Sequence, residues 1–285
     1  MQISTSTNCQ NCGAVLQGDF CHQCGQKKVS PHDYALKHFI AHAFHDITHF
    51  DSKIFRSLLP LFFKPGVLTA EYLSGKHTRF IKPMTLFVLL NPFFFLVGYR
   101  MGLLNWNMPG VIEGGPHTAL AKRLVEKKNF ASGQSREAFE RHFNETLAHQ
   151  QRNKFFIIIP LFVVALQIIQ GRLRRYYVEH LIYSIHFHSF LLIFLVVGLF
   201  SFVYLMGLFD LIFKTRLGPF FGNDPGILFP IAAGMVIYNL LALKRVYRQS
   251  WLITGIKTMT SLGCELAIIQ FIYRPLLFFL TFYIL

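Results

Sequence analysis

Charge is what this sequence has least of. Only 15% of its 285 residues are charged, and just 14 of them are acidic. Soluble domains are roughly a quarter charged, so a water-solvated enzyme domain or a disordered chain is disfavoured. Cysteine is also scarce, with five residues, four of them packed into one short stretch. That excludes a disulfide-framed secreted domain. No phosphate-binding glycine loop, no Ser-His-Asp order and no dinucleotide fingerprint occurs, so no ready-made nucleotide or acyl-transfer site is offered. Internal repeats and low-complexity tracts are absent, and a cysteine motif stands where a signal peptide would.

What fills the chain is hydrocarbon. Hydrophobic residues make up 53% of it and include 32 phenylalanines, and the mean hydropathy is +0.40. A span takes about 20 apolar residues. The expected fold is an all-α integral membrane protein of about five transmembrane helices with a small N-terminal zinc ribbon. The expected spans are 84–104 (kinked at Asn91-Pro92), 155–171, 189–209, 226–243 and 262–285. Arg274-Pro275 interrupts the last of these. An arginine near mid-span is costly, so that segment either crosses fully or stops there and folds back.

Between the first two spans lies a polar stretch, 105–154, with a turn region around Gly110–Pro116 and a charged helix over 135–151. Residues 29–83 form an amphipathic, interfacial region. Within it, 54–63 is apolar but short and broken by Pro60, and Lys76, Arg79 and Lys82 make a basic collar before the first span.

The net charge is +14, and its placement decides its meaning. Basic residues flank hydrophobic segments, where they set topology and meet anionic lipid; nucleic acid is disfavoured as a partner. Loops 172–188 and 244–261 carry Arg172, Arg174, Arg175, Lys244, Arg245, Arg248 and Lys257, whereas loop 210–225 has only Lys214 and Arg216. The richer loops and the N-terminal head therefore belong in the cytosol, and 105–154 outside.

The head, residues 1–28, is the most specific signal. Cys9-Gln-Asn-Cys12-Gly13 and Cys21-His-Gln-Cys24-Gly25 are two CxxCG knuckles separated by eight residues. Two residues between thiolates let both sulfurs reach one tetrahedral ion, and the following glycine can adopt positive φ. Four thiolates close the coordination shell, so the expected zinc is structural. One CxxC would suffice for redox work. Cys264 reads as a buried small hydrophobe.

Histidine gathers in two places. His38, His42, His45 and His49 fall on one face of a helix over 31–51, with phenylalanines opposite. Glu179, His180, His186 and His188 enter the third span; Glu179 and His186 lie about 10 Å apart along a helix, and His188 points away from His186. One reading is a second metal site between these clusters, zinc or iron, capable of catalysis. The other is a polar, structural or pH-responsive face. Glu265 and Arg274 are ionisable residues inside apolar segments and face opposite ways.

Cys9, Cys12, Gly13, Cys21, Cys24, Gly25, Gln26 and Lys27 resemble the head of a bacterial family of uncharacterised, zinc-ribbon-headed multi-pass inner-membrane proteins. The resemblance continues around His42 and Asp51, through Leu58, Pro65, Gly66, Tyr72, Leu73, Gly75, Lys76 and Pro83, and more loosely at Glu179, His180, Leu181, His186, Phe187 and His188. His77 departs from the pattern where a second basic residue is expected. The resemblance implies a bacterial inner-membrane protein with a cytosolic zinc head, and no reaction. The sequence thus supports a non-enzymatic, partner-docking or regulatory membrane module. Two readings stand beside it: a membrane metalloenzyme or lipid-modifying enzyme using the His clusters, and a small transporter or channel using Glu265 and Arg274.

Overall fold

A computed structural model describes residues 7–30, 53–100, 106–132, 135–171, 176–215 and 224–285. The expected helix over 31–51, with His38, His42, His45 and His49, lies outside the described residues, as do Arg172, Arg174 and Arg175. Among the described residues the chain is helical and has no strand, only two isolated antiparallel bridges in the head, Asn8 with Val15 and Phe20 with Lys27.

The helices are α1 (Lys53–Phe63), α2 (Val67–Leu73), α3 (Pro83–Arg100), α4 (Met108–Ile112), α5 (Thr118–Ser132), α6 (Arg136–Lys154) and α7 (Ile158–Gln170). They are followed by α8 (Tyr177–Ile193) and α9 (Leu199–Phe213), joined through a π turn, then α10 (Asp224–Tyr247). Last come α11 (Trp251–Ile268) and α12 (Arg274–Ile284), also joined through a π turn.

Three helical runs are long and apolar enough to cross a membrane: Tyr177–Phe213, Gly226–Tyr247 and Trp251–Ile284. The pair Arg136–Arg152 and Phe155–Gln170, bent by 48°, makes a fourth if taken as one broken span. The first expected span is a shorter apolar helix, Pro83–Gly98.

The core is built around α8. Every residue from Val178 to Phe190 is buried, because α3, α7, α2 and α1 all pack against it. A helix covered all round has no need of an amphipathic pattern. Beyond the π turn the same run changes character. In α9 only Leu199 is buried, and Phe200, Leu205, Leu211 and Ile212 are exposed. A second exposed apolar set, Leu252, Ile256, Met259 and Leu266, covers the outer face of α11. Apolar surface on this scale suits hydrocarbon as solvent.

Arg274 is placed differently from expectation, and the reason is geometric. The last helical run begins at Trp251 rather than 262, capped by Ser250, whose Oγ accepts from the Ile253 amide at 3.4 Å. It continues through Arg274 without folding back. At 1.5 Å per residue Arg274 lies about 35 Å from Trp251, more than the ~30 Å hydrocarbon thickness.

The guanidinium has local work there. It donates to the carbonyls of Gly110 and Glu113 (2.6 Å to the latter) and to Gln270 Oε1 at 2.5 Å, closing the C-terminal end of α4, where backbone carbonyls lack helical partners. α12 then packs on α6 and α4, with Phe278 on Phe143 (ring centroids 6.0 Å apart). The stretch expected as a turn plus one helix is thus three helices, α4 to α6, wrapped on the end of the last run. Arg274→Met should destabilise the purified protein by about 1.5–3 kcal/mol, the worth of hydrogen bonds to a charged group. Arg274→Lys should recover only part of that, since a point charge cannot span the same set of carbonyls. Denaturant titration of both variants measures the difference.

Candidate metal centre and buried polar seam

In the head the two knuckles repeat one another at an offset of twelve residues, in backbone as well as in cysteines and glycines. The Gly13 amide donates to the Cys9 carbonyl at 2.9 Å, and the Gly25 amide to the Cys21 carbonyl at 2.8 Å. The Cys9 amide donates to Ala14 O at 2.7 Å, and the Cys21 amide to Gln26 O at 2.9 Å. Gly13 and Gly25 both sit at positive φ, 82° and 70°, as the spacing demanded.

The four sulfurs consequently converge. Cys9 and Cys24 are 3.6 Å apart, Cys12 and Cys21 3.5 Å, and all four lie within 4.8 Å of one another. They are close enough to hold a metal ion. A tetrahedral ion with bonds of about 2.3 Å would set its sulfurs about 3.8 Å apart, so the donor set fits. All five cysteines are free thiols, and Cys264 is half-buried rather than buried.

The thiols already differ in acidity. Burial raises Cys24, but hydrogen bonds from Asn11, the Gln26 backbone, Cys9 and Cys12 outweigh it and bring it down to about 6. At Cys12 the Ala14 backbone lowers the thiol, while burial and hydrogen bonds shared with Cys21, Cys24 and Cys9 push it up to about 12. Crowded sulfurs cannot all ionise without a cation among them.

The head is seated on the collar rather than held away from it. Gln26 is only 4% exposed. Its Nε2 donates to Gly75 O at 2.7 Å, and its Oε1 accepts from the His77 amide at 3.0 Å and from Thr78 Oγ1 at 3.4 Å. The receiving turn ends α2. The Lys76 amide donates to Glu71 O and the Gly75 amide to Tyr72 O, at 3.1 and 3.0 Å, a helix end that places its glycine in the left-handed region (φ 88°). A Cβ on Gly75 would come within 1.7 Å of Gln10 Oε1, so the first knuckle presses on the same glycine. Collar charges are locally balanced: Glu71 Oε2 lies 3.1 Å from both Lys76 Nζ and Arg79 Nη1.

The second histidine group is dispersed around α8. His180 Nδ1 meets Tyr247 OH at 2.7 Å, and His186 Nδ1 meets Thr69 Oγ1 at 2.9 Å. His188 Nε2 meets Glu265 Oε1 at 3.0 Å, while its Nδ1 donates to Ser184 O at 2.8 Å. Tyr183 OH donates to Asn239 Oδ1 at 2.5 Å, and Asn239 Nδ2 to Ser261 Oγ at 2.8 Å. Glu179 is buried on the same helix.

Imidazoles aimed at three different neighbouring helices share no ion. Among the described residues the four cysteines are the one group of three or more metal-ligand side chains. Glu179, His180, His186 and His188 thus form no metal-holding group by themselves, and His38, His42, His45 and His49, the other half of the second-metal-site reading, lie outside the described residues. Glu265, the residue on which the transporter reading drew, faces His188, whose ring is surrounded edgewise by Phe155, Phe162 and Phe187 with centroids 6.5, 5.6 and 5.6 Å away.

Thr69, Asn239, Tyr247 and Ser261 were not singled out from sequence. The signal was present for part of the set. Thr254, Thr258, Ser261 and Glu265 fall at i, i+4, i+7 and i+11 on α11, and all are buried, the stripe by which polar side chains bind helices together in lipid.

Residues 51–95 match the model of a family described as Protein of unknown function (DUF3667). The match covers α1, α2, the Gly75 turn and much of α3, which is the surface that receives the head and meets His186. No curated protein and no solved structure matches the chain.

Proposed function

We propose that the chain is a five-crossing protein of the bacterial inner membrane that holds one structural zinc on Cys9, Cys12, Cys21 and Cys24, and that it serves as a partner-docking or regulatory module rather than an enzyme. The closed four-thiolate donor set carries this reading. A shell completed by four protein sulfurs leaves no open position for water or substrate. When bound, the ion supplies a fold to a head too small for a core of its own.

The arrangement of helix ends supports the topology. Arg245 donates to Pro65 O, Lys257 Nζ to Gln170 Oε1 at 3.0 Å, and His180 meets Tyr247. The collar, the end of α7, the start of α8, the end of α10 and the start of α11 thus share one end of the bundle with the head. That end carries Lys64, Lys76, Lys82, Lys244 and Arg248, which favours the cytosolic face. Membrane lipid is then the bulk partner, and a cytosolic protein is the specific one.

Metal analysis of detergent-purified full-length protein tests the proposal. The expected result is one zinc per chain, unchanged when His42 and His186 are both replaced by Ala. Two or more equivalents, with the excess lost in that double variant, would favour the metalloenzyme reading instead.

A further inference from the structure

We propose that the head reports its metal occupancy to the membrane domain, with Gln26 as the latch, a reading that rests on the cysteines binding zinc. Gln26 belongs to two structures at once. Its carbonyl accepts the Cys21 amide at 2.9 Å and so closes the second knuckle. Its side chain, nearly fully buried, holds Gly75, His77 and Thr78 of the collar turn. The path from the sulfurs to the collar is therefore one residue long.

From the collar it continues inward. The turn closes the C-terminal end of α2, and α2 carries Thr69, whose hydroxyl meets His186 in the buried centre of α8. Gln10 of the first knuckle bears on Gly75 as well, so both knuckles bear on the same turn.

Loss of the ion removes what holds a head of this size folded, since zinc-binding free energy is folding free energy in such units. The Gln26 carbonyl then loses its amide partner and the side chain loses its position. Gly75 O, the His77 amide and Thr78 Oγ1 lose their head-side hydrogen bonds together. The metal-bound and metal-free proteins thus differ in how firmly the end of α2 is held. That difference is what a cytosolic partner would recognise, and it would make the chain a zinc-responsive module.

Hydrogen exchange on the full chain in micelles, zinc-loaded and then stripped with a chelator, tests the inference, with metal content measured on the same samples. Stripping is expected to speed exchange at the His77 amide, which donates to Gln26 Oε1, by about tenfold or more, the effect of losing one ordinary hydrogen bond or better, with smaller increases at Gly75 and Lys76 and through α2. Gln26→Ala is expected to keep its zinc and show the same increase at the His77 amide without stripping. If stripping alters only residues 7–28, the latch is refuted while the structural zinc stands. A Gln26→Ala protein that loses its zinc also refutes it, because the side chain would then be a support of the knuckle. Wild-type protein binding no zinc at all would remove the underlying metal reading and the latch with it.

Discussion

Glu265→Leu should be among the most damaging single substitutions in the bundle, lowering stability by about 3–5 kcal/mol, the usual effect of leaving one member of a buried pair without the other. The chemistry of the pair sets the expectation. His188 Nδ1 faces the Ser184 carbonyl, which can only accept, so that nitrogen carries a proton. The 3.0 Å contact from Nε2 to Glu265 then needs a second proton, on the ring or on the carboxyl. Leucine supplies none and leaves an imidazole nitrogen facing phenylalanine rings.

Glu265→Gln should lose much less, since its amide can donate to Nε2. The double variant His188→Leu with Glu265→Leu should recover most of the loss, because apolar residues of similar volume replace buried pairs well. Reversible unfolding in mixed micelles measures all three. A double variant as unstable as Glu265→Leu alone would show that the pair is not the interaction at stake.

The second large effect is expected at Cys21. Cys21→Ser should abolish zinc binding and unfold the head, because it removes one of the four converging sulfurs, the most deeply buried residue of the set. Structural zinc contributes roughly 10–16 kcal/mol of apparent binding free energy in small zinc domains, far more than any single contact elsewhere in this chain. Limited proteolysis should show cleavage within residues 7–30 while the helical bundle stays intact. A Cys21→Ser protein with full zinc content and an uncut head would overturn the assignment of the ligands. Acid should act in the same direction as the substitution, since thiolates must be deprotonated to bind and protonation competes with the ion.

The convergence of the four sulfurs was legible because cysteine knuckles are local: two thiols, two spacers and a glycine lie within five residues, and both glycines adopt positive φ. Gln26 appeared only as part of a motif, since its partners lie about fifty residues further on, beyond the reach of any local pattern. Helical periodicity correctly sent His186 and His188 to different sides of α8, but it could not name Thr69 or Glu265 as the groups waiting there. The last run was expected to start too late because Lys257 and a row of hydroxyls depress hydropathy over its first turns. Those hydroxyls bond back to carbonyls of their own helix, Thr254 to Ser250 and Thr258 to Thr254, each at 2.8 Å, and so are satisfied inside the buried seam. Starting the helix at Trp251 makes the run longer than a single crossing requires, and Arg274 is met by the carbonyls of Gly110 and Glu113, partners the sequence alone did not offer.

The sheathed α8 also constrains biogenesis. His180, Tyr183 and His188 emerge from the ribosome before Tyr247, Asn239 and Glu265 have been synthesised, so a nascent chain halted near residue 215 lacks those three partners, whereas His186 and Ser184 already have Thr69 and Ile159. The polar seam of α8 is therefore complete only once the last two long helices have joined the elements that precede it.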